Sequence, residues 1–424
     1  MTDRVRGGAF VRMFGGAVVV QIVLSATSLV VGLILIRRAT DQQYAYYVLL
    51  INVLLLAIQL QYAFIQPQMI VRMAQASRAE RADLIGGLIR DQRRLLSPVA
   101  VAIAIAGLLA WIAGLLTSRV AIVVLAGTVA ISASLFREFF RATLLAYRLP
   151  EAVLKADITY GALLMLGALA ATLTPAPAAV TALCLAGAAV VGGIMSAGSV
   201  RKFEPWNSNG APGILRAIAP LGAWTAAGSA IHWSFSQGYN FVVAATLGVT
   251  AVAPISATRI LIMPVNLLST GIGTMMLPTI SGWLQTRDAR TVLRRQLTIA
   301  AAVASGAVCY FAVVWWIRDW LFASVLKKQI AQRELLLLLW FAVGLLMLLR
   351  DQLVYILLAR SRYRDLTILT FVSAVLSLTT GYVGMRLIGV PGALVGVLVG
   401  EFVNVAGQVA LSAHELRSRA HTSA

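Results

Sequence analysis

Twelve long apolar segments leave this chain few ways to fold. They run over 10–36, 44–66, 97–116, 121–147, 151–174, 178–199, 218–246, 251–282, 296–317, 335–359, 366–387 and 390–412. An α-helix of about 20 residues crosses the hydrocarbon of a bilayer. In lipid the backbone must satisfy its own hydrogen bonds, which favours helices. The chain therefore reads as an all-α polytopic membrane protein with twelve transmembrane helices. Its charged fraction of 12% is about half the roughly 25% of soluble domains. The first apolar run is too long for the core of a cleaved signal and counts as a span.

A net charge of +19 would ordinarily point to nucleic acid or an anionic surface. In a membrane chain it reads as topology. If loops alternate, 23 of the 35 Lys and Arg lie on the side of the N-terminus, eight lie on the other side, and four lie inside spans. Basic loops stay in the cytoplasm and meet anionic lipid there. Both termini are thus expected inside, with anionic membrane lipids as partners and no nucleic acid. The segment 67–96 carries Arg72, Arg78, Arg81, Arg90, Arg93 and Arg94 and is expected to form an amphipathic surface helix. The basic segment 318–334 falls on the outer side, where a short interfacial helix would suit it. Two cysteines and three histidines offer neither metal spacing nor a disulfide framework. No P-loop occurs. Catalytic residues, metals and cofactors are not expected.

Charges inside spans need a reason, because each costs about 2.5–3.5 kcal/mol at a helix centre. Arg137, Glu138 and Arg141 lie within one such helix. Arg137 and Arg141 share a face, and Glu138 is three residues from Arg141. Two readings stand: an Arg–Glu clasp between helices, or a cationic lining whose forked donors grip phosphate or carboxylate. Arg350 and Asp351 repeat the motif 213 residues later, and their balanced charge favours the clasp. Leu144-Leu145-Ala146 recurs as Leu357-Leu358-Ala359. Thr40 answers Thr250, and Pro67 answers Pro278. These offsets predict two six-helix repeats, 1–205 and 206–424, that run parallel because each begins on the same side.

Thr225, Ser229, His232, Ser236 and Asn240 follow helical spacing in the seventh span. They could bond neighbouring helices or wall a cavity for hydroxylated cargo. Arg259, with Asn266 beyond it, could snorkel to the interface or face substrate. Gln21, Ser25 and Ser28 place a similar polar set in the first span. The substrate-facing candidates are Arg137, Arg141, Arg259, Arg350, His232, Ser236, Asn240 and Gln21, with Glu138 and Asp351 as ion-pair supports. Asp157, Glu401 and Asn404 stand isolated and are expected to pack or face the interface. With Asp157 and Glu401 outside it, a cavity would hold an excess of two positive charges.

The stretch Leu33-Ile34-Leu35-Ile36-Arg37-Arg38-Ala39-Thr40-Asp41-Gln42-Gln43-Tyr44-Ala45-Tyr46-Tyr47 resembles the first loop of bacterial Wzx-type polysaccharide-repeat flippases. Ala45 stands where those proteins usually have Gly. They belong to the superfamily that also holds multidrug exporters and lipid II flippases. The resemblance implies a V-shaped, MATE-like pair of bundles in the bacterial inner membrane that opens alternately to either side. It implies an undecaprenyl-pyrophosphate-linked oligosaccharide as cargo, with polysaccharide polymerase machinery as a possible partner. Many relatives have fourteen spans, two more than this chain. A cation-coupled drug exporter of the same superfamily is the nearest alternative. A membrane-bound polymerase or ligase would want a larger outer loop than 318–334.

Overall fold

In the computed structural model every described element is helical, and the residues described are 2–420 apart from 148, 208, 209, 211, 266–275, 277, 278, 281, 284–288 and 361. The chain divides into two compact units, Met1–Ala230 and Ile231–Ala424. Unit 1 contains α1 (Thr2–Arg38), α2 (Asp41–Gln75), α3 (Arg78–Ile112), α4 (Ser118–Ala146), α5 (Pro150–Ala171), α6 (Pro177–Phe203) and the first part of α7 (Ile214–Ser236). Unit 2 continues with α8 (Tyr239–Leu247), α9 (Val252–Arg259), α10 (Ala289–Trp316), α11 (Arg333–Ala359), α12 (Tyr363–Ile388) and α13 (Val390–Ala420). Among the described residues, eleven helices are long and apolar enough to cross a membrane, and a shorter apolar helical stretch covers Val249–Val265. Asn266, named from the sequence beside Arg259, and the repeat partner Pro278 lie outside the described residues.

Local chemistry sets the helix ends. Thr40 caps α2, its hydroxyl accepting from the Gln43 N–H. Ser77 and Glu80 form a reciprocal capping box at the start of α3. Pro150 and Pro177 open α5 and α6, where a missing N–H costs nothing. The expected surface helix over 67–96 does not form as a separate element. Here α2 runs through Pro67 to Gln75, and α3 starts three residues later. At 35 residues each, these helices reach about 50 Å, well beyond a hydrocarbon thickness of about 30 Å. The arginines ride on helical extensions instead of a loop.

The seventh span also differs from expectation. Its predicted helix over 218–246 breaks after Ser236, and α8 starts at Tyr239. The basic segment 318–334 does hold a short helical piece: one turn at Arg318–Trp320 and a π-helical turn at Leu321–Leu326.

The two units share a packing plan. In unit 1, α4 and α5 both pack on α6, and α1 packs on α5. In unit 2, α11 and α12 both pack on α13, and α8 packs on α12. Small residues allow these approaches. A Cβ on Gly193 of α6 would lie 2.6 Å from the Phe136 ring of α4. In unit 2, Gly392 and Gly396 of α13 meet the backbone of α12 at Gly384 and Gly381. Outside these seams the helices expose large apolar side chains such as Leu166, Leu387 and Ile112, as lipid-facing surfaces do.

Candidate functional site

In unit 1 the charges of α4 meet a carboxylate from α5. Arg137 is buried, and its Nη1 donates to Glu138 Oε1 at 2.5 Å. Its Nη2 donates to Asp157 Oδ1. Arg141 Nε donates to Asp157 Oδ2 at 3.0 Å, and its Nη1 reaches Glu138 Oε2 at 3.3 Å. Four carboxylate oxygens and two guanidinium groups thus close a ring. The Arg137 guanidinium also lies 3.8 Å above the Tyr160 ring. The cluster is formally neutral and ties α4 to α5.

Asp157 is therefore not isolated. It is 1% exposed and binds both arginines. The sequence signal was present: a carboxylate in an apolar helix whose one cation, Lys155, is only two residues away and so off its face must find a partner on a neighbour. Nothing local said which neighbour.

Unit 2 repeats the arrangement with the accepting carboxylate on a different helix. Arg350 of α11 donates from Nη1 to both oxygens of Glu401 on α13, at 2.8 and 3.0 Å. Its Nε and Nη2 reach Asp351 Oδ1 at 3.1 and 2.8 Å. Glu401, expected to be isolated, is 2% exposed and fully engaged. His232 is exposed and lies close enough for Arg350 and Asp351 to act on it. Asn404, also expected to stand alone, accepts from Gln408 at 2.8 Å.

The expected excess of two positive charges falls with these pairings. Arg137, Arg141 and Arg350 each bond a carboxylate of their own helix (Glu138 or Asp351) and one of a neighbouring helix (Asp157 or Glu401). Arg259 is the exception. Among the described residues it has no carboxylate within ion-pair distance. Its Nη1 donates to Gln237 Oε1 at 2.7 Å and to the Tyr239 hydroxyl at 3.3 Å. Its guanidinium carbon lies 5.4 Å from the Trp340 ring centroid. Trp340 is buried and held by its indole N–H to the Ile255 carbonyl at 3.1 Å, with Tyr239 edge-on to it. Arg259 is half-buried at the C-terminus of α9, where the helix dipole favours a cation. Neutral partners orient this guanidinium and leave its charge intact.

The polar stripe of the seventh span does not stay together. Thr225 donates to the Ala63 carbonyl of α2 at 2.6 Å, a helix–helix bond. Ser236 reaches the Trp233 carbonyl at 3.5 Å within its own helix. Asn240 lies past the helix break, buried, with its Oδ1 unpartnered. Gln21 is exposed on α1 in unit 1. The structure brings Arg137, Arg141 and Glu138 into one cluster and Arg350 and Asp351 into another. Arg259 sits in a third setting.

No protein-family model matches this chain, and no curated protein matches it in sequence. Solved structures do match its fold. A multidrug resistance MATE family transporter of the MOP superfamily, in an inward-facing conformation, superposes with a TM-score of 0.75 at 14% identity, covering 95% of this chain and 96% of that one. The lipid II flippase MurJ matches with a TM-score of 0.72 at 9% identity, over 92% and 86%. A MOP superfamily transporter from Pyrococcus furiosus, described as having a binding pocket of reverse polarity, matches at 0.62 with 13% identity, over 97% and 96%. The chain is a multi-pass membrane protein with a MATE-like transporter fold. That fold serves multidrug exporters and a lipid-linked-precursor flippase alike.

Proposed function

We propose that the protein is a flippase that moves undecaprenyl-pyrophosphate-linked oligosaccharide repeat units across the bacterial inner membrane by alternating access. The single observation carrying this reading is Arg259. A pyrophosphate crossing the membrane needs a cation whose charge is not already spent. Arg259 has only neutral hydrogen-bond partners and an aromatic platform, so it can still grip phosphate through its forked donors. The matched clusters at Arg137 and Arg350 then serve as structural joints within each unit. Sugar hydroxyls would find Ser236 and Asn240 in unit 2 and Gln21 in unit 1. The polyprenyl tail stays in lipid, and both termini lie in the cytoplasm. Anionic lipids and polysaccharide polymerase machinery are the partners this reading implies, and no catalytic step is part of it.

A second reading has one observation in its favour. A multidrug resistance MATE family transporter shares the fold with a TM-score of 0.75, which suits a cation-coupled drug exporter. Gene deletion separates the two. The flippase reading expects loss of a surface or secreted polysaccharide, build-up of lipid-linked repeat units on the cytoplasmic face, and unchanged resistance to cationic dyes. Dye hypersensitivity with normal polysaccharide would reject it in favour of the exporter.

A further inference from the structure

A groove in unit 1 lies apart from the charged clusters. It has a volume of about 460 Å³ and is walled by Phe64 of α2, Asp91, Arg94 and Leu95 of α3, and Gly213, Leu215, Arg216 and Ala219 at the start of α7. Its two cations are unspent. Asp91, the acid beside them, accepts from the Gly213 N–H at 3.3 Å and the Leu215 N–H at 3.0 Å. Its charge is thereby committed to the N-terminus of α7, where a carboxylate is favoured. Gly213 adopts a φ of 82°, a left-handed conformation that glycine takes at little cost. Among the described residues, Arg94 and Arg216 form no ion pair. Of the other charged groups on this stretch of α3, Arg90 donates to the Gly210 carbonyl at 2.9 Å and Arg93 is exposed.

The groove also sits at a definable depth. From Leu95 to Ile112, α3 is almost wholly apolar, and its Leu95, Val99, Leu109 and Ile112 are exposed. That segment spans about 27 Å, close to the hydrocarbon thickness of a bilayer. Arg94 therefore marks one hydrocarbon boundary. On α7, exposed Leu221 and Trp224 begin one to two turns past Arg216, which places Arg216 at the same kind of boundary. Toward the bilayer centre the groove closes where Gly222 packs on Phe64; a Cβ on Gly222 would lie 2.7 Å from the Phe64 carbonyl oxygen. Two cations at headgroup depth over an apolar floor match one kind of occupant.

We propose that this groove binds an anionic glycerophospholipid, with its phosphate between Arg94 and Arg216 and an acyl chain along Phe64, Leu95 and Ala219. A zwitterionic lipid would gain less, because its own cation competes for the phosphate and is repelled by the two arginines. The site joins the start of α7 to α2 and α3, so a bound lipid would brace the helix that leads out of unit 1. It makes no use of Arg259 and stands whatever the transported cargo is.

The test is native mass spectrometry of the full-length protein in mild detergent, titrated with phosphatidylglycerol or with phosphatidylcholine of the same chains. Wild type should retain phosphatidylglycerol preferentially. Arg94→Gln and Arg216→Gln should each weaken that binding about fivefold, with phosphatidylcholine unchanged. Arg119→Gln, an exposed arginine at the start of α4, should have no effect. Ala219→Trp keeps both arginines but fills the groove, and should also lose the lipid, so the proposal stays testable if an Arg variant folds poorly. Equal retention of both lipids, or wild-type phosphatidylglycerol binding by the Arg94→Gln/Arg216→Gln double variant, would overturn it. So would displacement by glycerol phosphate at matched concentration, which would mark a free-phosphate site, or by undecaprenyl pyrophosphate in preference to phosphatidylglycerol.

Discussion

Arg350 holds Glu401 with a single guanidinium nitrogen shared between both carboxylate oxygens, across the seam between α11 and α13. Both side chains are nearly inaccessible. Removing one partner strands the other charge in a low-dielectric seam, at a cost of about 3–5 kcal/mol. Arg350→Leu and Glu401→Leu should each sharply lower the melting temperature in detergent. The double variant Arg350→Leu/Glu401→Leu should recover much of the loss, since the buried seam then holds no charge and the Asp351 released from Arg350 is the most accessible of the three. A double variant no better than the worse single would refute the clasp.

The unit 1 ring makes a graded prediction. Asp157 bonds two arginines and is buried, whereas Glu138 is more accessible. Asp157→Asn should therefore destabilise the protein more than Glu138→Gln, by about 1–3 kcal/mol. Thermal unfolding of the two purified variants measures the difference, and equal shifts would show that Asp157 has no special place in the ring.

Arg259 should behave differently from the clustered arginines. Arg259→Gln removes a charge that no carboxylate neutralises, so abundance and melting temperature should stay close to wild type. Polymer export should fall about tenfold or more, the scale of one charge-assisted bond, and Arg259→Lys should restore it in part. Export by Arg259→Gln at the wild-type level, at matched protein, would take this residue out of the transport path.

Topology follows from the distribution of Lys and Arg. Reporter fusions after Ser77, Trp206 and Arg290 should read cytoplasmic, and fusions after Thr174 and Gly248 should read periplasmic. A periplasmic signal at Ser77 would invert the assignment.

A close helix contact offers a purely steric test. Gly193→Val places a side chain where the Phe136 ring and the Arg137 Cα already lie, at 2.6 and 3.3 Å from a Cβ. Overpacking of this kind costs about 1–3 kcal/mol. Gly187→Val, where a Cβ meets nothing within 4 Å, should be far milder in the same unfolding assay.

The amino-acid sequence alone determined the helical class, the number of apolar spans to within the undescribed part of the eighth, and the pairing of Arg141 with Glu138 and of Arg350 with Asp351. All of these are local: hydropathy over about 20 residues, or neighbours on one helical turn. The basic stretch 67–96 was legible as charged but not as helix ends, because the Ser77–Glu80 capping box permits a tight turn that composition does not reveal. Only the tertiary structure decided where Asp157 and Glu401 point. Their partners lie 20 and 51 residues away, on helices brought together by small residues such as Gly192 and Gly193. That decision changed the sign of the argument about the interior. Counted along the chain, two carboxylates could be set aside and the arginines left in excess. Packed in space, those carboxylates join Glu138 and Asp351 in pairing three of the four arginines, because a buried charge is stable only beside its opposite. Arg259 keeps its charge, and hydropathy and spacing had no means of singling it out.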